Sequence, residues 1–416
     1  MASIARKNLF EDIPRFLVAQ AGIMFAVSLV TIQIGILNGF TRSTGLLIDQ
    51  SSADLWVASE DMVHLEVTSP LPLEQMVKAR DVEGVERAEA LMIRAALWRS
   101  PDRRIAPVRL YGFDPKGQLF ANWKLAQGEL NALNTPYTMM VDKAQLSAID
   151  LKQVGDSGSI GALPAKLVGL VENTQSMASS AAVFTSLETA NAFSTSGLSS
   201  TANIRIQNGE VQVLNNVDAA PARSSTGTPP PPPRKLSLSD SITFILIQAK
   251  PGQDLPTLRK RLESALPGTR ALTRAEMAQQ TRDYWEKRTG VGFILGLGAT
   301  VGFVVGMVVV SQILYSSVAD HIKEYGTLKA MGASDWIIYR VITEQALWMA
   351  VLGYLPSMVL CIGLGTWTMA AKGIMILISP MTAAGVFLIT VVMCVGSAMF
   401  AIQKVTKVDP AIVFKA

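Results

Sequence analysis

Between Gly290 and Ala319 the chain runs for thirty residues, GVGFILGLGATVGFVVGMVVVSQILYSSVA, without one charged side chain. Runs of this length fit a bilayer better than water, because a hydrocarbon core of about 30 Å takes roughly 20 helical residues. Three more lie between Phe16 and Thr41, Gln345 and Ala371, and Gly373 and Gln403. Composition agrees: 49% of the 416 residues are hydrophobic and 17% charged, against roughly 25% charged in a soluble domain. The expected fold class is a membrane protein with four transmembrane α-helices, one plus three, and a large α+β extracytoplasmic domain between helices 1 and 2.

The basic Arg6, Lys7 and Arg15 before the first run resemble a secretory n-region. A signal core is about 7 to 15 residues with a small-residue cleavage site, whereas this run is longer and ends in NGFTRSTG, so it reads as an uncleaved anchor. Lys and Arg near the spans set orientation. They cluster before span one, between spans two and three (Lys323, Lys329, Arg340) and after span four (Lys404, Lys407, Lys415), while the connection between spans three and four has only Lys372. Both termini are therefore expected in the cytoplasm, although Lys287 and Arg288 at the outer mouth of span two count against it. The expected order is a cytoplasmic segment 1–15, span one 16–41, an external domain 42–288, span two 289–317, a cytoplasmic helix 318–335, span three 336–371, span four 373–403 and a cytoplasmic tail 404–416.

In the external region, strand-like runs rich in β-branched or aromatic residues are LWVA within 46–59, and 108–113, 138–142, 165–172, 181–186, 202–207 and 241–250. Helical periodicity falls at 73–84 and 255–266, the latter with Leu255, Leu258, Leu262 and Leu266 at spacings of three and four. The proline-rich insert 218–240, DAAPARSSTGTPPPPPRKLSLSD, cannot build a core and reads as a solvated spacer. Both cysteines, Cys361 and Cys394, fall in spans, so the external domain is not a disulfide-stapled module.

No catalytic or metal-binding residue is assigned. His64 and His321 fall on opposite sides of the membrane in this topology, and no G-x-x-x-x-G-K-[ST] sequence exists. A formal net charge of +4, dispersed along the chain, excludes nucleic acid as an expected partner. In span two, Gly292, Gly296, Gly298, Gly302 and Gly306 make overlapping G-x-x-x-G registers, a helix-packing face for span one or for a second copy. Arg340 and Glu344, four apart, are expected to form a local ion pair. On a helical wheel, Val318, Ile322, Tyr325 and Leu328 take one side of the stretch after span two, and Asp320, Lys323, Glu324 and Thr327 the other. Physics alone leaves two readings open, an interfacial connector or a helix docked on a cytoplasmic partner.

KEYGTLKAMGAS at 323–334 resembles the signature of FtsX-like permeases of the MacB type, with Lys323, Glu324, Tyr325, Gly326, Lys329, Ala330, Gly332 and Ala333 in the characteristic places. The likeness extends to ARKNLFEDIPR at 5–15, PAKLVGLVENTQSMASSAAVFTS at 164–186 and VDPAIVFKA at 408–416, and the run 289–334 is most similar to DevC-like permeases of cyanobacterial exporters. The resemblance implies an inner-membrane ABC transporter permease that dimerises, pairs with a separate ABC ATPase binding ATP and Mg, and itself binds no cofactor. It further implies a periplasmic adaptor protein leading to a TolC-like outer-membrane channel, surrounding lipid, and action by mechanotransmission. Lys323, Glu324, Tyr325, Gly326, Lys329 and Gly332 become the ATPase-coupling residues. A glycolipid or other hydrophobic substrate is the DevC-like expectation. The alternatives are an FtsX-like regulator of an external enzyme and a membrane-anchored sensor without an ATPase.

Overall fold

The computed structural model describes residues 13–196, 203–207, 210–214, 230–320, 327, 331 and 334–406. The chain divides into two units, Met1–Gly39 with Thr289–Ala416, and Phe40–Arg288.

The first unit holds four long helices: α1 (Ile13–Gln50, of which the part up to Gly39 belongs here), α6 (Val291–Asp320), α7 (Asp335–Lys372) and α8 (Pro380–Thr406). All four are long and apolar enough to cross a membrane. Their shared core is built from small and branched side chains, among them Ile23 and Ala26 of α1, Val310 of α6, Ala346 of α7 and Cys394 of α8. The outer surface is as apolar as the core: Phe293 is 75% exposed and Val359 73%. Such a surface is stable only in lipid.

The second unit is one large sheet with helices. Its elements are β1 (Leu55–Ser59), β2 (Leu71–Pro72), α2 (Leu73–Arg80), β3 (Val85–Arg99), β4 (Ile105–Phe113), β5 (Lys124–Gln127), β6 (Thr138–Asp142), β7 (Ser157–Ile160), β8 (Leu163–Glu172), β9 (Ala181–Ser186) and α3 (Leu187–Thr195). There follow the hairpin β10 (Asn203–Gln207) and β11 (Glu210–Leu214), then β12 (Ser241–Ile242), β13 (Phe244–Ala249), α4 (Leu255–Ala265), β14 (Thr269–Thr273) and α5 (Arg274–Thr289). The main sheet runs β14-β1-β13-β3-β4-β9-β6-β8-β5, and β7 bridges β3 and β8. Consequently β3, β4, β9, β6, β8 and β7 pair in a closed circuit.

Period-two alternation sorts the side chains. Trp56, Phe244, Leu246, Tyr111, Phe113 and Phe184 enter a core on one face. On the other face the sheet carries two cores. One, with Leu55, Val57, Ile245 and Ile247, packs under Leu258 and Leu262 of α4; the other, with Trp98, Leu110, Val141 and Val183, fills the closed circuit. The two lobes meet on β3, whose Val85–Leu91 pairs with β13 and whose Met92–Arg99 pairs with β4.

Helix starts follow capping chemistry. Asp254 accepts from the Thr257 N–H at 3.0 Å ahead of α4. Thr273 and Glu276 cap α5 reciprocally: the Glu276 N–H donates to Thr273 Oγ1 at 3.2 Å and the Thr273 N–H to Glu276 Oε2 at 2.8 Å. Several runs differ from their sequence reading. The segment 241–250 is two strands rather than one, and α2 stops at Arg80 because Val85 already opens β3. The helix of span one continues past Thr41 to Gln50, and Val318–Asp320 continue the helix of span two. Among the described residues no ion pair joins Arg340 to Glu344, and Arg340 is exposed.

Candidate functional site

The expected coupling residues Lys323, Glu324, Tyr325, Gly326, Lys329 and Gly332 lie outside the described residues, as does 218–229 of the proline-rich insert. Between 321 and 333, Thr327 and Met331 are described; the Met331 N–H donates to Thr327 O at 3.0 Å, the spacing of an α-helical turn.

The glycine face of α6 meets the first span of the same chain. A Cβ on Gly298 would come within 2.7 Å of the Gln33 side chain, one on Gly302 within 3.0 Å of Leu29, and one on Gly306 within 2.6 Å of Ala26 and closer still to Met393 of α8. Gly22 of α1 answers from the opposite side, where an added Cβ would lie 2.5 Å from Val309. Gly296 faces open space, and Gly292 is half-buried at the start of the helix. Further along α1, Gly35 O accepts from the Leu377 N–H, in the segment between α7 and α8, at 2.9 Å, and Asn38 Nδ2 donates to Thr382 in the first turn of α8 at 3.0 Å.

A second constellation, which the sequence reading did not find, lies at the end of the external domain where its two chain connections leave it. Phe40–Gln50 of α1 and α5 are joined there by the ion pair of Asp49 with Arg282. Gly45 makes room for that guanidinium, since a Cβ would come within 3.0 Å of it. Each helix is also tied to the sheet and its loops. Ser43 Oγ accepts from the Met177 N–H at 3.0 Å and Gln50 Nε2 donates to Asn173 O at 2.9 Å; Arg274 donates to Ser51 O at 2.8 Å and Gln280 to Val63 O at 3.0 Å.

Beside this joint the loop 61–67 places His64 face to face with Tyr284 of α5, ring centroids 4.1 Å apart, with Trp285 edge-on at 5.3 Å. His64 Nδ1 accepts from the Glu66 N–H at 3.3 Å, which requires that nitrogen to be unprotonated. Burial, and then the nearby Arg109 charge, hold its pKa down to about 4. Glu66 pairs with Arg109 at 2.7 Å on β4, and burial together with the Glu66 charge pushes the Tyr111 hydroxyl well above its usual range. The arrangement presents no nucleophile with a base. It is a locked, low-dielectric contact between α5 and the sheet. One signal for it was available: T-R-A-E at 273–276 is a capping box heading a helix that carries the aromatic pair Tyr284-Trp285 in its second half.

A family model described as MacB-like periplasmic core domain matches residues 16–265, and one described as FtsX-like permease C-terminal matches residues 296–410. The chain belongs to the FtsX-like permeases of the MacB type. Among solved structures, this permease is similar to the periplasmic region of MacB from Actinobacillus actinomycetemcomitans, at 12% identity and a TM-score of 0.35, over 56% of this chain and 94% of that one. It is also similar to the extracellular domain of the noncanonic ABC-type transporter YknZ from Gram-positive bacteria, at 11% identity and a TM-score of 0.33, over 53% of this chain and 99% of that one. Scores and identities this low transfer nothing to the permease beyond what the family models already give. Among curated proteins none matches the sequence. The family is that of ABC transporter permease subunits, which are membrane-embedded and not themselves catalytic.

Proposed function

We propose that this permease is the inner-membrane subunit of an ATP-driven exporter that transmits motion rather than conducting its substrate between the spans. The observation that carries this reading is the uncharged interior of an ABC-family permease: 16–41, 289–319, 345–371 and 373–403 contain no Asp, Glu, Lys, Arg or His. An ion- or proton-coupled carrier needs titratable groups at that depth. The continuous helix α1 supports the same reading, because its 38 residues at 1.5 Å each extend about 57 Å, nearly twice a hydrocarbon core.

In this scheme both termini and 318–335 lie in the cytoplasm. Lys323, Glu324, Tyr325, Gly326, Lys329 and Gly332 form the coupling site for a separate ATPase that binds ATP and Mg, with Lys323, Glu324 and Tyr325 at the contact and Lys329 supporting that helix. Two copies of the permease pair with two ATPases. The external domain engages a periplasmic adaptor leading to an outer-membrane channel, and the cargo is a lipid, glycolipid or other hydrophobic compound. The test is Glu324→Lys in the full chain. Copurification with the ATPase and coupled export are expected to fall at least tenfold with membrane insertion intact; unchanged copurification and export would sink the assignment.

A further inference from the structure

In the main sheet β6 lies between β9 and β8, antiparallel to the first and parallel to the second. The chain nevertheless passes directly from β8 to β9. Residues 173–180 therefore arch over the C-terminal end of β6, where their backbone N–H groups have left the ladder. Buried N–H groups then need acceptors from elsewhere. The residue at that end of β6 is Asp142, 1% exposed.

Its carboxylate is divided between two neighbours. Oδ1 accepts from the Ala144 N–H at 2.9 Å and caps the short 3-10 helix Lys143–Ile149. Oδ2 reaches into the arch, where it accepts from the Thr174 N–H at 2.7 Å and from Thr174 Oγ1 at 3.0 Å. Three donors satisfy a charge that would otherwise be costly to bury. Thr174 and Gln175 are buried with it, and Asn173 before them takes a φ of +58, which asparagine adopts more readily than most residues.

The other side of the arch meets α1. Asn173 O accepts from Gln50 Nε2, and the Met177 N–H donates to Ser43 Oγ, whose own proton goes to Phe40 O at 2.8 Å. Ser43 and Gln50 lie two helical turns apart, on one face of α1. The same short loop thus has a buried carboxylate behind it and the helix in front.

We infer that Asp142 is a positioning residue: it holds 173–177 in the shape that seats Phe40–Gln50, and this seat binds α1 to the closed circuit of strands. The pair Asp49–Arg282 does not do this, because it ties α1 to α5 rather than to the sheet. The seat also gives a task to ENTQSMASS at 172–180, a stretch the proposed function leaves unused. Its use in transport rests on that function; the seat itself does not.

The test follows amide hydrogen exchange in the full chain in lipid discs at two positions. Met177 reports the seat, and Leu65, whose N–H donates to Thr281 Oγ1 of α5 at 3.3 Å, reports the other connection. Asp142→Ala is expected to speed exchange at Met177 at least tenfold, the loss of charged hydrogen bonds, and to leave Leu65 within about twofold of the parent. Thr174→Val, which removes one donor to Asp142, is expected to speed Met177 about fivefold. An unchanged Met177 rate in Asp142→Ala, or equal acceleration of both amides, would overturn the positioning role. Should Asp142→Ala not fold, Thr174→Val decides by the same two outcomes. Failure of the export reading would appear separately, as absence of an ATPase from material copurified with the parent while the exchange rates follow the expected pattern.

Discussion

Two segments connect the spans to the external domain, and they are built on opposite principles. The first is α1, one helix whose hydrogen bonds continue from the span into the domain, through the boundary between Gly39 and Phe40. The second changes course at Gly290, which has φ +62 and separates α5 from α6. A continuous helix resists bending and carries a displacement along its axis. A left-handed glycine between two helices is a joint, since no helical ladder passes through it. At their domain ends both are bound to the same neighbourhood, through Asp49–Arg282 and the ties to the sheet and its loops. The difference teaches that one connection carries an unbroken helical hydrogen-bond ladder and the other is interrupted by a left-handed glycine.

The largest effect is expected from destroying the contrast. Thr41→Pro interrupts α1 at the boundary; a proline in a helix interior costs roughly 3 kcal/mol. ATPase-coupled export is expected to fall at least tenfold while circular dichroism and membrane insertion stay close to the parent's; undiminished export would show that α1 continuity is dispensable.

Acidification loosens the domain end of the second connection. His64 has its folded pKa held near 4 against about 6.5 when unfolded. Between those values the unfolded state binds a proton that the folded state refuses, so stability is full above pH 6.5 and declines toward pH 4. The slope is at most about 1.4 kcal/mol per pH unit. His64→Phe is expected to flatten the denaturation midpoint over that range while keeping the stack on Tyr284. An equal slope in parent and variant would assign the acid sensitivity to other groups.

Smaller effects come from the joint itself. Gly290→Val forces a β-branched residue into the left-handed region at a cost of about 1–2 kcal/mol, whereas Gly290→Asn costs less. Melting temperature is expected to rank parent, Asn, then Val; an equally stable Val variant would mean that the joint has another available conformation. The smallest change is Arg282→Ala, which removes a half-exposed ion pair and is expected to cost about 1 kcal/mol or less in the melting of the external domain.

Much of the fold was legible in the sequence because single-segment patterns determine it. Strands 138–142 and 181–186 fall where β-branched and aromatic residues cluster between turn formers, and the leucines of 255–266 give α4. β3 was not legible: VERAEALMIRAALWR is made of good helix formers, and its extended state is imposed by partners along both edges. The cluster of His64, Glu66, Arg109 and Tyr284 was hidden for another reason. Its members come from segments far apart in the chain, and no local period announces a stack between a loop and a helix. The insert 218–240 looked like a spacer because composition reports its prolines but not its partners: Tyr137 Oη donates to Pro231 O, and the Leu73 and Glu74 N–H groups at the start of α2 donate to Asp240 O and Leu238 O. The coupling stretch acquired a role only through its likeness to a family, since its wheel alone fitted a connector equally well.

The closed circuit of six strands limits how other proteins recognise this domain. Inside it every strand already has neighbours on both sides, so nothing can join by donating a strand of its own. On the main sheet, among the described residues, the two ends of the order are β14 and the short β5, which begins with Lys124. A protein that docks anywhere else on that sheet has to read side chains, and its specificity can then change by point substitution without disturbing the backbone pairing beneath.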